Sequence, residues 1–180
     1  MLAIRETFEL ARPQQFLLSG RRALHLVDVE NLAGSATFSR TDAIRLHQAY
    51  AHVARYGVSD HVVLATSHHS ALSAWLGWPP TSRRLVRSGP HGADVALLEV
   101  IRRESVATRF DHVVIGSGDG IFAFEAARLQ SAGVNVTVVT RRGALSRQLR
   151  LAVRDVRYID SRIKPILTVL QGGVRTSGCA

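Results

Sequence analysis

A doubly wound α/β domain built on a parallel sheet is the fold class this sequence predicts, and three features of its 180 residues predict it. Short valine-rich apolar runs recur at ALHLVD, HVVLAT, HVVI and VNVTVVT, without the polar alternation of a half-wet sheet, so they read as strands buried on both faces. Stretches with apolar residues at helical spacing separate them. Each run stops abruptly in polar or glycine-containing loops, as strands do where they leave a sheet for a crossover helix.

The first strand covers 23–28 and ends on Asp28. After a loop at 34–40, Thr41 caps a helix whose Ile44, Leu46, Ala49 and Val53 recur at roughly helical spacing, and Gly57 ends it. The second strand is 61–66. Ser70 then opens a short helix through Trp75, which Pro79 and Pro80 close, since proline cannot donate into a continuing ladder. A brief third strand follows at 84–87, then a turn at 88–93, from which Asp94 leads a helix with Val95, Leu98 and Ile101 along one face. The fourth strand, 112–115, runs through the loop GSGDG at 116–120 into a helix over 122–130, which Gly133 terminates. A fifth strand at 134–140, a helix near 145–153 and a last strand at 156–159 complete the sheet. No internal repeat is present. The organisation is an arm at 1–20, one domain at 21–160 and a tail at 161–180.

A hydrophobic content of 46% supports a core without staples. Cys179 is alone, so nothing in the sequence suggests a disulfide framework or a cysteine metal site. Charged residues interrupt every apolar run well before the roughly 20 residues of a membrane span, and Arg5, Glu6, Glu9 and Arg12 break the apolar segment an export signal needs. A cytoplasmic protein is expected. The net charge of +9 is almost all arginine, Lys164 being the only lysine, and favours a polyanionic partner. An arginine-rich composition by itself gives the same figure.

Ligands of open α/β sheets bind beyond the carboxyl ends of the strands, where the winding reverses. Asp28 ends the first strand, Asp94 opens the helix after the third, and Asp119 lies in the loop after the fourth, with Glu30 and Asn31 beside Asp28. Each aspartate also has an ordinary use as a cap or turn residue. Two carboxylates about 4 Å apart repel by roughly 4 kcal/mol at an effective dielectric near 20, so three together call for protons or a cation. Oxygen ligands without a fixed pair of histidines favour Mg or Mn over zinc.

The stretches VDVENL at 27–32, HGADVAL at 91–97 and VIGSGDGIF at 114–122 resemble, in order and spacing, the three motifs of NYN domains in the PIN-like nuclease superfamily. The resemblance covers about 24–160. It implies a PIN-like fold, metal-dependent hydrolysis of phosphodiesters and RNA as substrate, with Asp28, Asn31, Asp94 and Asp119 in the metal-binding and catalytic places and Ser117 positioning the loop. Many relatives carry a second aspartate two residues after the first in that loop. Here the place is Ile121, a departure that implies one tight metal site, slower chemistry or none.

Arg83, Arg84 and Arg87 before the Asp94 loop, and Arg141 and Arg142 after the fifth strand, are candidate phosphate contacts around the crevice. Arg147, Arg150, Arg154 and Arg157 recur at three- and four-residue steps and would share a face if one helix carried them all. His68, His69 and His91 fall in loops at the same edge, where a histidine can move protons or touch phosphate. Phe38, Trp75 and Trp78 are candidates for stacking on a base, with Trp75 equally placed for a core. Three functions compete: a Mg- or Mn-dependent ribonuclease, a non-catalytic RNA- or protein-binding module, and a nucleotide-binding enzyme using the GSGDG loop. The last lacks the third glycine of the dinucleotide pattern and has its loop after the wrong strand. Exposed sheet edges suggest a homodimer.

Overall fold

The computed structural model describes residues 22–159; the expected arm at 1–20 and tail at 161–180 lie outside them. Six strands form one parallel sheet in the order β3-β2-β1-β4-β5-β6: β1 (Ala23–Asp28), β2 (His61–Thr66), β3 (Arg83–Val86), β4 (His112–Gly116), β5 (Asn135–Arg141) and β6 (Asp155–Ile159). The chain winds outward from β1 to β3, then returns to lay β4 on the other side of β1. The winding therefore reverses between β1 and β4, the doubly wound arrangement expected. Sequence-based strand limits agree to within one residue at each end, the shift at β3 being one residue towards the N-terminus.

Alternation along the buried strands separates two cores. Leu24 and Leu26 of β1, Val63 and Ala65 of β2, and Val113 and Ile115 of β4 face α4 (Gly92–Arg103), α5 (Val106–Arg109), α6 (Ala123–Ser131) and α7 (Arg147–Ala152). Val27, Leu64 and Val114 face the other way, onto α1 (Val29–Ala33), α2 (Arg40–Ala54) and α3 (Ala71–Gly77). A buried polar chain crosses the second core: Tyr50 Oη lies 2.8 Å from His25 Nδ1, and His25 Nε2 lies 3.2 Å from Asp60, which also accepts the Ala23 and Gly57 amides. Burial pushes the His25 pKa down.

Three local expectations are corrected. The cap of α2 is Ser39, not Thr41: the Ser39 hydroxyl accepts the Asp42 amide while Asp42 accepts the Ser39 amide, and Arg55 in the left-handed region, not Gly57, ends the helix. The chain turns helical directly after Asp28, a helix the sequence reading did not place, so Glu30 stands on α1. Helix α7 stops at Ala152, so Arg154 and Arg157 leave the face of Arg147 and Arg150; Arg157 sits on β6 bonded to Asp155. The edge strands are β3 and β6, and the exposed Arg83 and Arg84 on β3 are the kind of charge that keeps an edge from pairing. That edge gives the expected homodimer no support. No helix among the described residues is long and apolar enough to cross a membrane.

Candidate functional site

The crevice at the carboxyl ends of β1 and β4 gathers Asp28, Asp94 and Asp119. Asp28 shares the face of Leu24 and Leu26, which is the α4 side, and α4 carries Asp94 in its first turn. Asp28 also caps α1, its Oδ1 accepting the Asn31 amide at 3.0 Å. Asp119 follows β4 and caps the 3-10 turn Gly120–Phe122, with Oδ1 accepting the Ile121 amide at 3.0 Å and Oδ2 left free of that bond.

Asn31 ties the two loops of the crossing point together. Its side-chain oxygen accepts the Gly118 amide at 3.0 Å, and its backbone oxygen accepts Arg141 Nε at 3.1 Å. The fully buried Ser117 accepts the Asp119 amide through Oγ, so it shapes the loop from beneath. Gly118 is required there, because a Cβ would overlap the Ala144 carbonyl and sit 2.6 Å from Thr140 Oγ1. The same loop is fastened to the start of α7 by the Ser146 amide, which donates to the Gly118 carbonyl at 2.8 Å.

Electrostatically the site is unbalanced. Burial raises the Asp28 pKa to about 7; the Asn31 amide opposes the shift and the charge of Asp94 adds to it. Asp94 is raised as well, by burial first, with the His91 ring opposing the shift and the charge of Asp119 adding to it. Asp94 is 5% exposed, and its buried Oδ1 has no donor among the described residues. Its other oxygen lies 3.2 Å from His91 Nδ1, which is 3.6 Å from Asp119 Oδ2. Ligand atoms of His91, Asp94 and Asp119 all fall within 4.8 Å of one another. An orphaned carboxylate oxygen beside further acids and an imidazole fits a divalent cation.

Glu30 does not join this group: its Oε1 accepts Thr66 Oγ1, the Ser67 amide and Ser67 Oγ, which pins α1 to the end of β2. Ile121 packs partly against the core under α6. Of the candidate phosphate contacts, Arg87, Arg141 and Arg142 reach the carboxyl edge. Arg87 pairs with Glu99, and Arg142 lies over the Tyr158 ring. Arg83 opens β3 at the amino end and pairs with Glu104, while Arg84 covers Trp75 from the α3 side, so strand direction takes both from the crevice. Trp78 is buried and Trp75 half-buried, leaving Phe124, 72% exposed at the start of α6, as the open aromatic near the Asp119 loop. His68 bonds Ser88 Oγ and stacks on His69.

The structure adds detail to two features of the sequence reading. His91 was legible only as a loop histidine, because its approach to both Asp94 and Asp119 depends on a left-handed backbone at φ 53°. Arg141, Arg142, Arg147 and Arg150 have no carboxylate within ion-pair distance among the described residues and flank the Asp119 loop through its contacts with Ala144, Ser146 and Gln148.

The model of the NYN domain family matches residues 22–161. A crystal structure of a protein of unknown function from Vibrio parahaemolyticus superposes with a TM-score of 0.51 at 16% identity, over 79% of this chain and 96% of that one, a likeness of fold alone. No curated protein matches the chain.

Proposed function

Given that the chain belongs to the NYN domain family, we propose that it is a metal-dependent ribonuclease that hydrolyses RNA phosphodiester bonds at the crevice of Asp28, Asp94 and Asp119. The observation that carries this reading is the buried Asp94 Oδ1, without a donor among the described residues, beside an Asp28 whose pKa is pushed up to about 7. Such a cluster is stable near neutral pH only with a proton or a cation. Asp28, Asp94 and Asp119 would hold Mg or Mn, which when bound polarises a phosphate and lowers the pKa of a water.

The chain's own residues do the rest. Asn31 and Ser117 fix the Asp119 loop relative to Asp28, so the carboxylates keep their spacing without reorganising when RNA arrives. Arg141 and Arg142 at the end of β5, with Arg147 and Arg150 of α7 beyond them, are cations without a carboxylate partner among the described residues and would meet successive phosphates. The exposed Phe124 ring offers a face to an unpaired base. The cytoplasm, where RNA is abundant and a lone cysteine stays reduced, is the setting this implies.

Ile121 favours one further reading, a non-catalytic RNA-binding module, since its side chain packs on the core at the place where the family resemblance puts an acid in many relatives. The two readings differ in what the ion does. Cleavage of RNA that requires Mg or Mn and is lost in Asp119→Asn supports the nuclease. RNA bound intact, with an affinity that EDTA leaves unchanged, supports the module.

A further inference from the structure

We propose that His91 is itself a metal ligand of this crevice, forming with Asp94 and Asp119 a mixed nitrogen–oxygen site that takes Mn2+ in preference to Mg2+. The proposal rests on the reading of the crevice as a metal site, and adds to it a ligand and a choice of ion.

His91 occupies the N-cap position of α4, yet its side chain makes no capping bond. Nδ1 turns instead to Asp94 Oδ2 at 3.2 Å and Asp119 Oδ2 at 3.6 Å. One ring N–H can satisfy one of those oxygens; a cation satisfies both and the nitrogen as well. Three donor atoms within 4.8 Å of one another suit a single ion, whose ligands at about 2.1 Å stand roughly 3 Å apart when adjacent and about 4.2 Å when opposite. The independent sign of a missing partner is Asp94 Oδ1, buried and without a donor among the described residues.

The loop is built to keep the ring in place. His91 adopts φ 53°, a conformation few side chains tolerate, and its carbonyl accepts the Val95 amide at 2.9 Å. Gly92 abuts the Arg87 carbonyl so closely that a Cβ would overlap it, which presses the turn onto the end of β3. The His91 side chain is 59% exposed, so the outer side of the cluster stays open to water or a phosphate oxygen.

An imidazole nitrogen changes which ion is held. Mg2+ demands hard oxygen ligands, whereas later divalent metals accept nitrogen with growing affinity, Mn2+ being the first of that series. His91 also comes from a different loop than Ile121, so it supplies a ligand without restoring the carboxylate missing there.

The test is metal binding, read without RNA. Mn2+ bound to the intact protein should show coupling to a 14N nucleus by pulsed electron paramagnetic resonance, and Mn2+ should displace Mg2+ in competition. His91→Asn, with its fold checked by circular dichroism, should lose the 14N coupling and bind Mn2+ roughly ten-fold or more weaker, with Mg2+ affinity little changed. A Mn2+-loaded wild type without 14N coupling, or a protein that binds neither ion, overturns the proposal. Nitrogen coupling in a protein that leaves RNA intact keeps the ligand assignment and defeats the nuclease; ion-dependent cleavage without nitrogen coupling does the reverse.

Discussion

Replacing Asp28 with asparagine isolates the electrostatic cost built into the crevice. Asparagine keeps the oxygen that accepts the Asn31 amide at 3.0 Å and removes only the charge. In the fold Asp28 releases its proton near pH 7, against 3.8 for an ordinary aspartate. The folded chain thus holds a proton that the unfolded chain has already lost across that window. Stability contributed by the group falls as pH rises from about 4 to about 7, and the penalty is complete above that. At 1.36 kcal/mol per unit the full cost is about 4 kcal/mol, and relaxation of the site brings the expected gain of Asp28→Asn at pH 8.5 to about 2–4 kcal/mol. For a domain of this size that is roughly 6–12 °C in Tm. At pH 5.5 the gain should fall to about half, because the folded parent keeps a proton there that the unfolded chain has already lost, and it should vanish only below about pH 4. His25, His47 and His112, all pushed down from 6.5 by burial, destabilise both proteins in acid and cancel in the difference. The assay is thermal unfolding in EDTA at both pH values. A gain of equal size at pH 5.5 and 8.5 would refute the reasoning.

Gly118→Ala should cost several kcal/mol in urea unfolding, since the new methyl group meets the Ala144 carbonyl and Thr140 Oγ1; a cost under about 1 kcal/mol contradicts the loop packing described. Paired substitution of Arg147 and Arg150 by glutamine should weaken RNA binding and reduce the slope of log affinity against log salt by about 1.5, with an unchanged slope placing the RNA elsewhere. Glu125, only 2% exposed, accepts Arg102 Nε and Arg128 Nε at 2.6 Å each. Burial alone would raise its pKa, but the two arginines outweigh it and hold the carboxyl below 4.5. Glu125→Gln should therefore cost about 1–3 kcal/mol at pH 7, and less as pH falls through the carboxylate range. Urea titrations at pH 7 and 4 read both.

The four inner strands were legible because they are buried on both faces and carry few polar residues between their ends. The convergence of Asp28, Asp94 and Asp119 followed from the same strands, each aspartate standing at a carboxyl end. What escaped the sequence was shorter or depended on direction. Helix α1 has five residues, too few for a period, and is set by Asp28 capping Asn31. Ser39 and Thr41 both look like caps, and only the return bond from Asp42 decides between them. Arg83 and Arg87 are four residues apart, yet a strand carries that spacing from one edge of the sheet to the other. His91 joins the acids through one backbone angle that no pattern of residue types encodes.

The most direct measurement is the fate of a defined RNA, single-stranded and hairpin, incubated with the purified protein in Mn2+, in Mg2+ or in EDTA, beside Asp94→Asn. Water activated at a metal site attacks phosphorus without help from the ribose hydroxyl. The account predicts products free of 2′,3′-cyclic phosphate, formed only with a divalent ion and absent with Asp94→Asn. Intact RNA in every condition, or cleavage that survives both EDTA and the substitution, would contradict it.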